Sequence, residues 1–237
     1  MITLLLLLAQ STVADGAIQP QVAADEQGQI YVTYVKGGNV IVKFSTDDAK
    51  TWSREWTAID AKGKAKGGAQ RGPRIGAHGK NGVVVTAPVC FDEKEFEKQY
   101  PTNELWIVRS TDMGQTWSKP AQVNEAARKA PESLHWLAVA PNGDAHVAWL
   151  DIRDGKDNCL WYARVEAGKV GRNVKLTGPV CECCAPGMAV DDRGNPVVAV
   201  REGKKADRSI LLSVSRDGGK SFAAAGAVNA GKTGLGS

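Results

Sequence analysis

The side chains best able to do chemistry in this chain are arginines, acids and cysteines placed at corresponding points along it. Arg74 opens one apolar run and Asp92 closes the next, while Arg153, Arg201 and Arg208 flank later runs. A guanidinium is a planar fork that donates two parallel hydrogen bonds to a carboxylate or sulfate, so arginines sharing one concavity would make an anion-binding mouth. Arg71, Glu93, Asp151, Asp154, Glu202 and Asp207 gather in the same loops. The plainer reading of these charges is solvated loops with local Arg–Asp pairs. The five cysteines are Cys90, Cys159, Cys181, Cys183 and Cys184, three of them within four residues.

Positioning these groups falls to a repeat. Ser45 to Trp52, Ser110 to Trp117 and Ser215 to Phe222 share the pattern Ser-x-Asp-x-Gly-x-Ser/Thr-Trp/Phe, with Ala49 at the glycine position of the first copy. Each follows an apolar, β-prone run (Val40 to Phe44, Leu105 to Val108, Ile210 to Val214) and reads as a hairpin turn. The Asp accepts backbone N–H groups of its own turn, the Gly supplies a positive φ, and the aromatic ring packs back, buried beside the turn. Ala49 either bears the left-handed cost or marks a different turn.

Upstream of each hairpin lies a second phrase, strand, turn, strand, starting at Pro20, Pro73, Trp136 and Pro186, which is 50 to 63 residues apart. That is the period of a four-stranded propeller blade, and it predicts an all-β chain of four blades, about 17 to 60, 70 to 125, 133 to 178 and 184 to 229. The third unit retains only the glycine of its pattern, at Arg164 to Gly168. In such a blade the loop after the second strand and the approach to the first share one end. The arginines and cysteines above all map there, opposite the Ser-x-Asp turns, whereas His78 and His146 map to the turn end as surface or packing histidines.

The octapeptides resemble the Asp-box, or BNR, repeat of the sialidase superfamily. The resemblance implies a six-bladed β-propeller, of which four blades stand in this chain, so that residues 15–237 are expected to be part of a sialidase-like domain, a fragment, the alternative being a complete four-bladed ring. It implies three arginines on a sugar carboxylate, an Asp acid/base, and a Tyr nucleophile activated by a Glu. Arg74-Ile75 resembles the Arg-Ile of the family's Arg-Ile-Pro signature, with Gly76 in place of the Pro. Asp92 then takes the acid/base role, and Arg153 and Arg201 are further arginines. None of Tyr31, Tyr34, Tyr100 and Tyr162 is placed as the nucleophile. Trp149 to Arg153, Cys181 to Cys184 and Val200 to Glu202 are similar to phrases of exported sialidase-like bacterial proteins. The implied function is recognition of an anionic or polar sugar by a glycoside hydrolase-related protein, the alternative being a non-catalytic propeller that binds a glycan or a protein.

Composition agrees with a globular body: 43% hydrophobic, 24% charged, and a formal charge of +4 too evenly spread to argue for nucleic acid. Lys62, Lys64 and Lys66 form only a small loop cluster. Residues 1–14 read as a signal peptide with an apolar core from Met1 to Ala9 and cleavage after Ala9 or Ala14, far short of the roughly 20 residues that span a bilayer. The expected location is secreted or periplasmic, with no membrane span and no cofactor. Export makes disulfides the first expectation for the cysteines, most simply Cys159 with Cys181, Cys183 or Cys184, with a vicinal Cys183–Cys184 bridge as an option for the remainder. The other reading is a metal held by Cys181, Cys183, Cys184 and His135, although C-x-C-C is not the paired C-x-x-C spacing of structural zinc.

Overall fold

The computed structural model describes residues 12–65, 67–68, 70–98, 103–125, 130, 133–155, 157–203 and 209–228. Four antiparallel sheets follow one another along the chain. The first holds β1 (Ile18–Ala24), β2 (Ile30–Lys36), β3 (Asn39–Ser45) and β4 (Trp56–Ile59). The second holds β5 (Arg74–His78), β6 (Gly82–Val89), β7 (Glu104–Ser110) and β8 (Ala121–Gln122), with the four-residue helix α1 (Glu93–Phe96) between β6 and β7. The third holds β9 (His135–Val139), β10 (Ala145–Asp151) and β11 (Cys159–Glu166), against which both β12 (Lys169–Val170) and β13 (Val174–Thr177) pair. In the fourth, β14 (Gly187–Val190), β15 (Pro196–Arg201), β16 (Ile210–Val214) and β17 (Ala223–Ala227) lie in chain order.

The strands stack face to face because both faces of the middle ones are apolar. On β6 every residue from Gly82 to Val89 is buried. Val83 and Val85 turn toward Tyr31, Val40 and Val42 of the first sheet, whereas Val84 turns the other way, toward Leu137, Val147 and Val165 of the third. This period of two makes one strand serve two cores, each fully buried valine contributing about 1.5–3 kcal/mol. A third core joins Ala148, Leu150 and Leu160 to Val198 and Val200. The sheets are thus packed in series, with β1 against β5, β5 against β9 and β9 against β14. At the two ends of the series apolar side chains reach water: Ile18 (51% exposed) and Val22 (63%) on β1, and Ile210 (40%) and Val228 (62%) on the fourth sheet. Among the described residues no helix is long and apolar enough to cross a membrane.

The three Ser-x-Asp stretches are turns closed by one hydrogen-bond pattern. Ser45 Oγ donates to Asp47 Oδ1 (2.8 Å) and accepts the Ala49 N–H (3.0 Å), while the Asp47 carboxylate accepts the Thr51 N–H (2.9 Å) and hydroxyl (2.6 Å). Ser110, Asp112, Gly114 and Thr116 repeat these bonds at 2.7, 2.8, 2.9 and 2.6 Å. So do Ser215, Asp217, Gly219 and Ser221, at 2.8, 2.8, 2.9 and 2.6 Å. The hydroxyl and N–H donors hold the Asp47 and Asp217 carboxyls down at about 2. Gly114 and Gly219 both sit at φ +85°, and Ala49 adopts the same left-handed region at φ 62°, so the first turn keeps its shape and bears the cost. The aromatic rings are half-buried instead of buried: Trp117 packs at the margin of the first core and Phe222 at that of the third. In the third sheet a two-residue turn, Ala167 (φ 47°) and Gly168 (φ 83°), links β11 to β12 instead.

Candidate functional site

At the end of the sheets away from the Ser-x-Asp turns, the segment before β5 meets the segment before β14. Gln70 lies in the left-handed region at φ 62°, and its side-chain carbonyl accepts the Ala185 N–H (3.4 Å). Such strain persists only where surroundings over-determine it. Its backbone carbonyl accepts Nη2 of Arg74 at 2.8 Å. The other Arg74 donors reach the carbonyls of His135 (3.3 Å) and Pro73 (3.5 Å), and the guanidinium lies over the Trp136 ring, 5.2 Å from its centroid. Arg74 is 8% exposed, and among the described residues its partners are neutral, so its charge is not cancelled by a carboxylate. Burial pulls its pKa below the ordinary arginine value.

Beyond Ala185 the same edge continues into Cys184, whose sulfur accepts Nη1 of the partly exposed Arg201 at 3.9 Å. Arg74, Gln70, Cys184 and Arg201 therefore belong to one connected edge. Trp136, half-buried on β9, was missed by reasoning from charge alone. A signal existed: it occupies the slot that Pro20, Pro73 and Pro186 fill in the other repeats.

The remaining sequence candidates go elsewhere. Arg153 is bound to Asp151 through Nη2 (2.6 Å) and Nε (3.0 Å), touches Asn173 (3.1 Å), and stacks on Trp161 at 4.0 Å. Asp151 is fully buried and also accepts the Trp149 indole N–H (3.1 Å), so this arginine is committed to its own loop. The carboxylate of Asp92 caps α1 by accepting the Glu95 N–H at 2.9 Å. Arg208, with Asp207, lies outside the described residues, as do Tyr100, Lys66 and residues 1–11. Hydrogen bonds link Arg74 and Arg201 along this edge through Gln70, Ala185 and Cys184, while Arg153 and Asp92 bond within their own loops.

The described tyrosines are not activated. Tyr34 does meet a glutamate, donating to Glu55 at 3.0 Å, but Glu55 is shared with Lys36 (2.7 Å). Burial first, then that carboxylate, raises the Tyr34 pKa. Tyr31, bound to Asp25, and Tyr162, bound to His146 Nδ1 at 2.6 Å, are likewise raised, chiefly by burial. His135 is wholly buried against Thr86 Oγ1 (3.0 Å) and the Ser133 carbonyl (3.3 Å), and burial holds it at about 3.

None of the five cysteines is joined in a disulfide. The expected bridge from Cys159 is not formed: its sulfur faces the Asp157 carbonyl at 3.8 Å and packs where a side chain on Gly178 would have to be. Cys181, Cys183 and Cys184 do converge, with Cys184 Sγ 2.8 Å and Cys183 Sγ 3.4 Å from Cys181 Sγ. His135 is turned to Thr86 and takes no part in this group. Burial pushes Cys181 up, but donation from Cys184 and from the Cys183 backbone outweighs it and holds the thiol at about 7. Cys184, partly buried and the donor of that bond, is pushed up to about 11, burial being the larger cause.

No family model and no curated relative matches the chain. Solved structures share its fold at low identity. A Hadza microbial sialidase superposes with a TM-score of 0.58 at 15% identity, over 89% of this chain and 46% of its own. A PL25 ulvan lyase gives 0.55 at 14% identity, over 90% and 56%. The GH93 α-L-arabinofuranosidase of Fusarium graminearum gives 0.56 at 14% identity, over 89% and 65%. The chain spans between about half and two thirds of the length of these proteins.

Proposed function

We propose that this chain is part of an exported sialidase-type β-propeller that binds an acidic sugar at the edge formed by Gln70, Arg74, Trp136 and Arg201. One observation carries the reading: a buried guanidinium whose described partners are neutral carbonyls, stacked on a half-buried tryptophan. An uncancelled positive charge in a low-dielectric setting favours a carboxylate or sulfate, and an indole face suits the apolar face of a sugar ring. The fold shared with a sialidase, an ulvan lyase and an arabinofuranosidase supports a carbohydrate as the ligand. Exposed Ile18, Val22, Ile210 and Val228 are the surfaces against which further sheets of a larger ring would pack.

The described chain is expected to bind without hydrolysing, because Tyr31 and Tyr162 are bonded to Asp25 and His146 and the glutamate that meets Tyr34 is shared with Lys36. The test is calorimetric titration with a sialoside, a uronic acid oligosaccharide and a neutral pentose oligomer at low and high salt. Acidic sugars bind more tightly, and salt weakens them. Trp136→Ala and Arg201→Gln each reduce affinity about tenfold, the loss of roughly 1.4 kcal/mol expected for one aromatic or charge-assisted contact. Equal binding of the neutral oligomer, or indifference to Trp136→Ala, would sink the site. Release of a chromophore from a sialoside reporter would refute the non-hydrolytic reading.

A further inference from the structure

The loop from Cys181 to Cys184 is a built feature that sugar binding does not use. Its start is fixed by two backbone bonds, Val180 N–H to the Asn158 carbonyl (2.8 Å) and Cys181 N–H to the Arg201 carbonyl (2.9 Å). It then makes a single turn, with the Cys184 N–H on the Cys181 carbonyl (3.4 Å), and is tied at its end by Ala185 to Gln70 (3.4 Å). Held this way, three sulfurs lie within 4.8 Å of one another: Cys181 buried, Cys184 partly buried and Cys183 facing solvent. Thiols in ordinary packing do not need to converge from one turn. Three of them doing so, with a guanidinium beside the cluster, is an arrangement that suits thiolates bound to a cation.

We propose that Cys181, Cys183 and Cys184 form a three-thiolate site for a thiophilic closed-shell metal ion, copper(I) or zinc(II). The donor set excludes calcium and magnesium, which take oxygen ligands, because the group contains no carboxylate. Copper(I) is suited by soft sulfur donors, and zinc(II) would complete its tetrahedron with water through the open side at Cys183. Binding replaces three S–H bonds by three S–metal bonds and releases up to three protons, with no change of oxidation state. Arg201, 3.9 Å from Cys184 Sγ, offsets part of the thiolate charge. The solvent-facing Cys183 gives the ion a way in.

The full chain, kept reduced and anaerobic, is titrated separately with copper(I) and zinc(II) against a competing chelator and weighed by native mass spectrometry. One equivalent is expected, with matching proton release. X-ray absorption should give three sulfurs for copper, and three sulfurs at about 2.3 Å plus one oxygen for zinc. Cys183→Ser, an exposed change that spares the fold, weakens binding by at least about 100-fold, beyond the 10–100-fold typical of losing a second-shell partner. Cys159→Ser leaves it unchanged. Binding that ignores Cys183→Ser, no stoichiometric binding of either metal to a chain whose five thiols are all reduced, or a Cys181–Cys184 bridge that persists in reductant would each overturn the site.

Discussion

The glycine position of the Ser-x-Asp turns offers a matched series in which nature has already made one substitution. In the first turn Ala49 occupies φ 62°, where a β-carbon costs about 1–2 kcal/mol. Ala49→Gly removes that cost and restores roughly 0.4–1 kcal/mol of unfolded-state entropy, for a net gain of about 0.5–1 kcal/mol. The reverse change differs between the other two turns. At Gly114 an added β-carbon would lie 3.0 Å from Trp117 and 3.2 Å from Val42, so Gly114→Ala bears the left-handed cost and a tight contact, about 1–3 kcal/mol. At Gly219 it would lie 1.9 Å from Tyr162 Oη, which cannot swing away because it is buried and bonded to His146 at 2.6 Å. Gly219→Ala therefore adds overpacking of about 1–3 kcal/mol and totals about 2–5 kcal/mol. With about 2–4 °C per kcal/mol for a chain of this size, thermal melts should place Ala49→Gly some 1–4 °C above the parent and Gly219→Ala at least about 4 °C below. A lower midpoint for Ala49→Gly, or a Gly219→Ala no worse than Gly114→Ala, would refute the reasoning.

Asp151→Asn leaves Arg153, whose side chain is 13% exposed, beside a neutral amide, and urea titration should register a loss of about 3–5 kcal/mol while sugar affinity of the folded protein is unchanged. A loss of affinity with intact stability would return Arg153 to the site. Acidification should destabilise the fold below pH 6.5. His135 and His146 are held neutral by burial down to about 3 and about 4, so the unfolded chain takes up their protons first and stability falls as pH drops from the ordinary histidine value toward those folded values. His146→Gln should flatten the dependence of the melting midpoint between pH 6.5 and 4; an unaltered slope would exclude it as a contributor. A second acid step is expected from Asp47 and Asp217, whose carboxyls sit at about 2: their contribution is full above the ordinary carboxylate range and is lost as pH falls through about 2. Circular dichroism down to pH 1.5 reads it, and Asp47→Asn should diminish it.

Some of this was legible from residue order because its causes are local. The Ser-x-Asp turns close through groups at most four residues apart, so their chemistry can be read from an octapeptide, Ala49 included. The all-β class and four-sheet layout are legible because apolar runs and turn residues recur at a regular spacing. The pairing of Arg153 with Asp151, two residues apart, was present in the sequence as the plainer reading of its charges. Convergence of Cys181, Cys183 and Cys184 is local too, since one turn brings the sulfurs together.

Tertiary structure decided the rest. Arg74 meets the His135 carbonyl from 61 residues away, and Gln70 meets Ala185 across 115. No spacing rule foretells such contacts, because they depend on how successive sheets are rotated and how much water their packing excludes. The same packing turned His135 inward to Thr86, kept Cys159 away from the other thiols, and set Tyr34 against a glutamate already shared with Lys36. A side chain's type fixes which bonds it can make. Which partner it finds, and whether that partner cancels its charge, is settled only when burial removes water as the competing ligand.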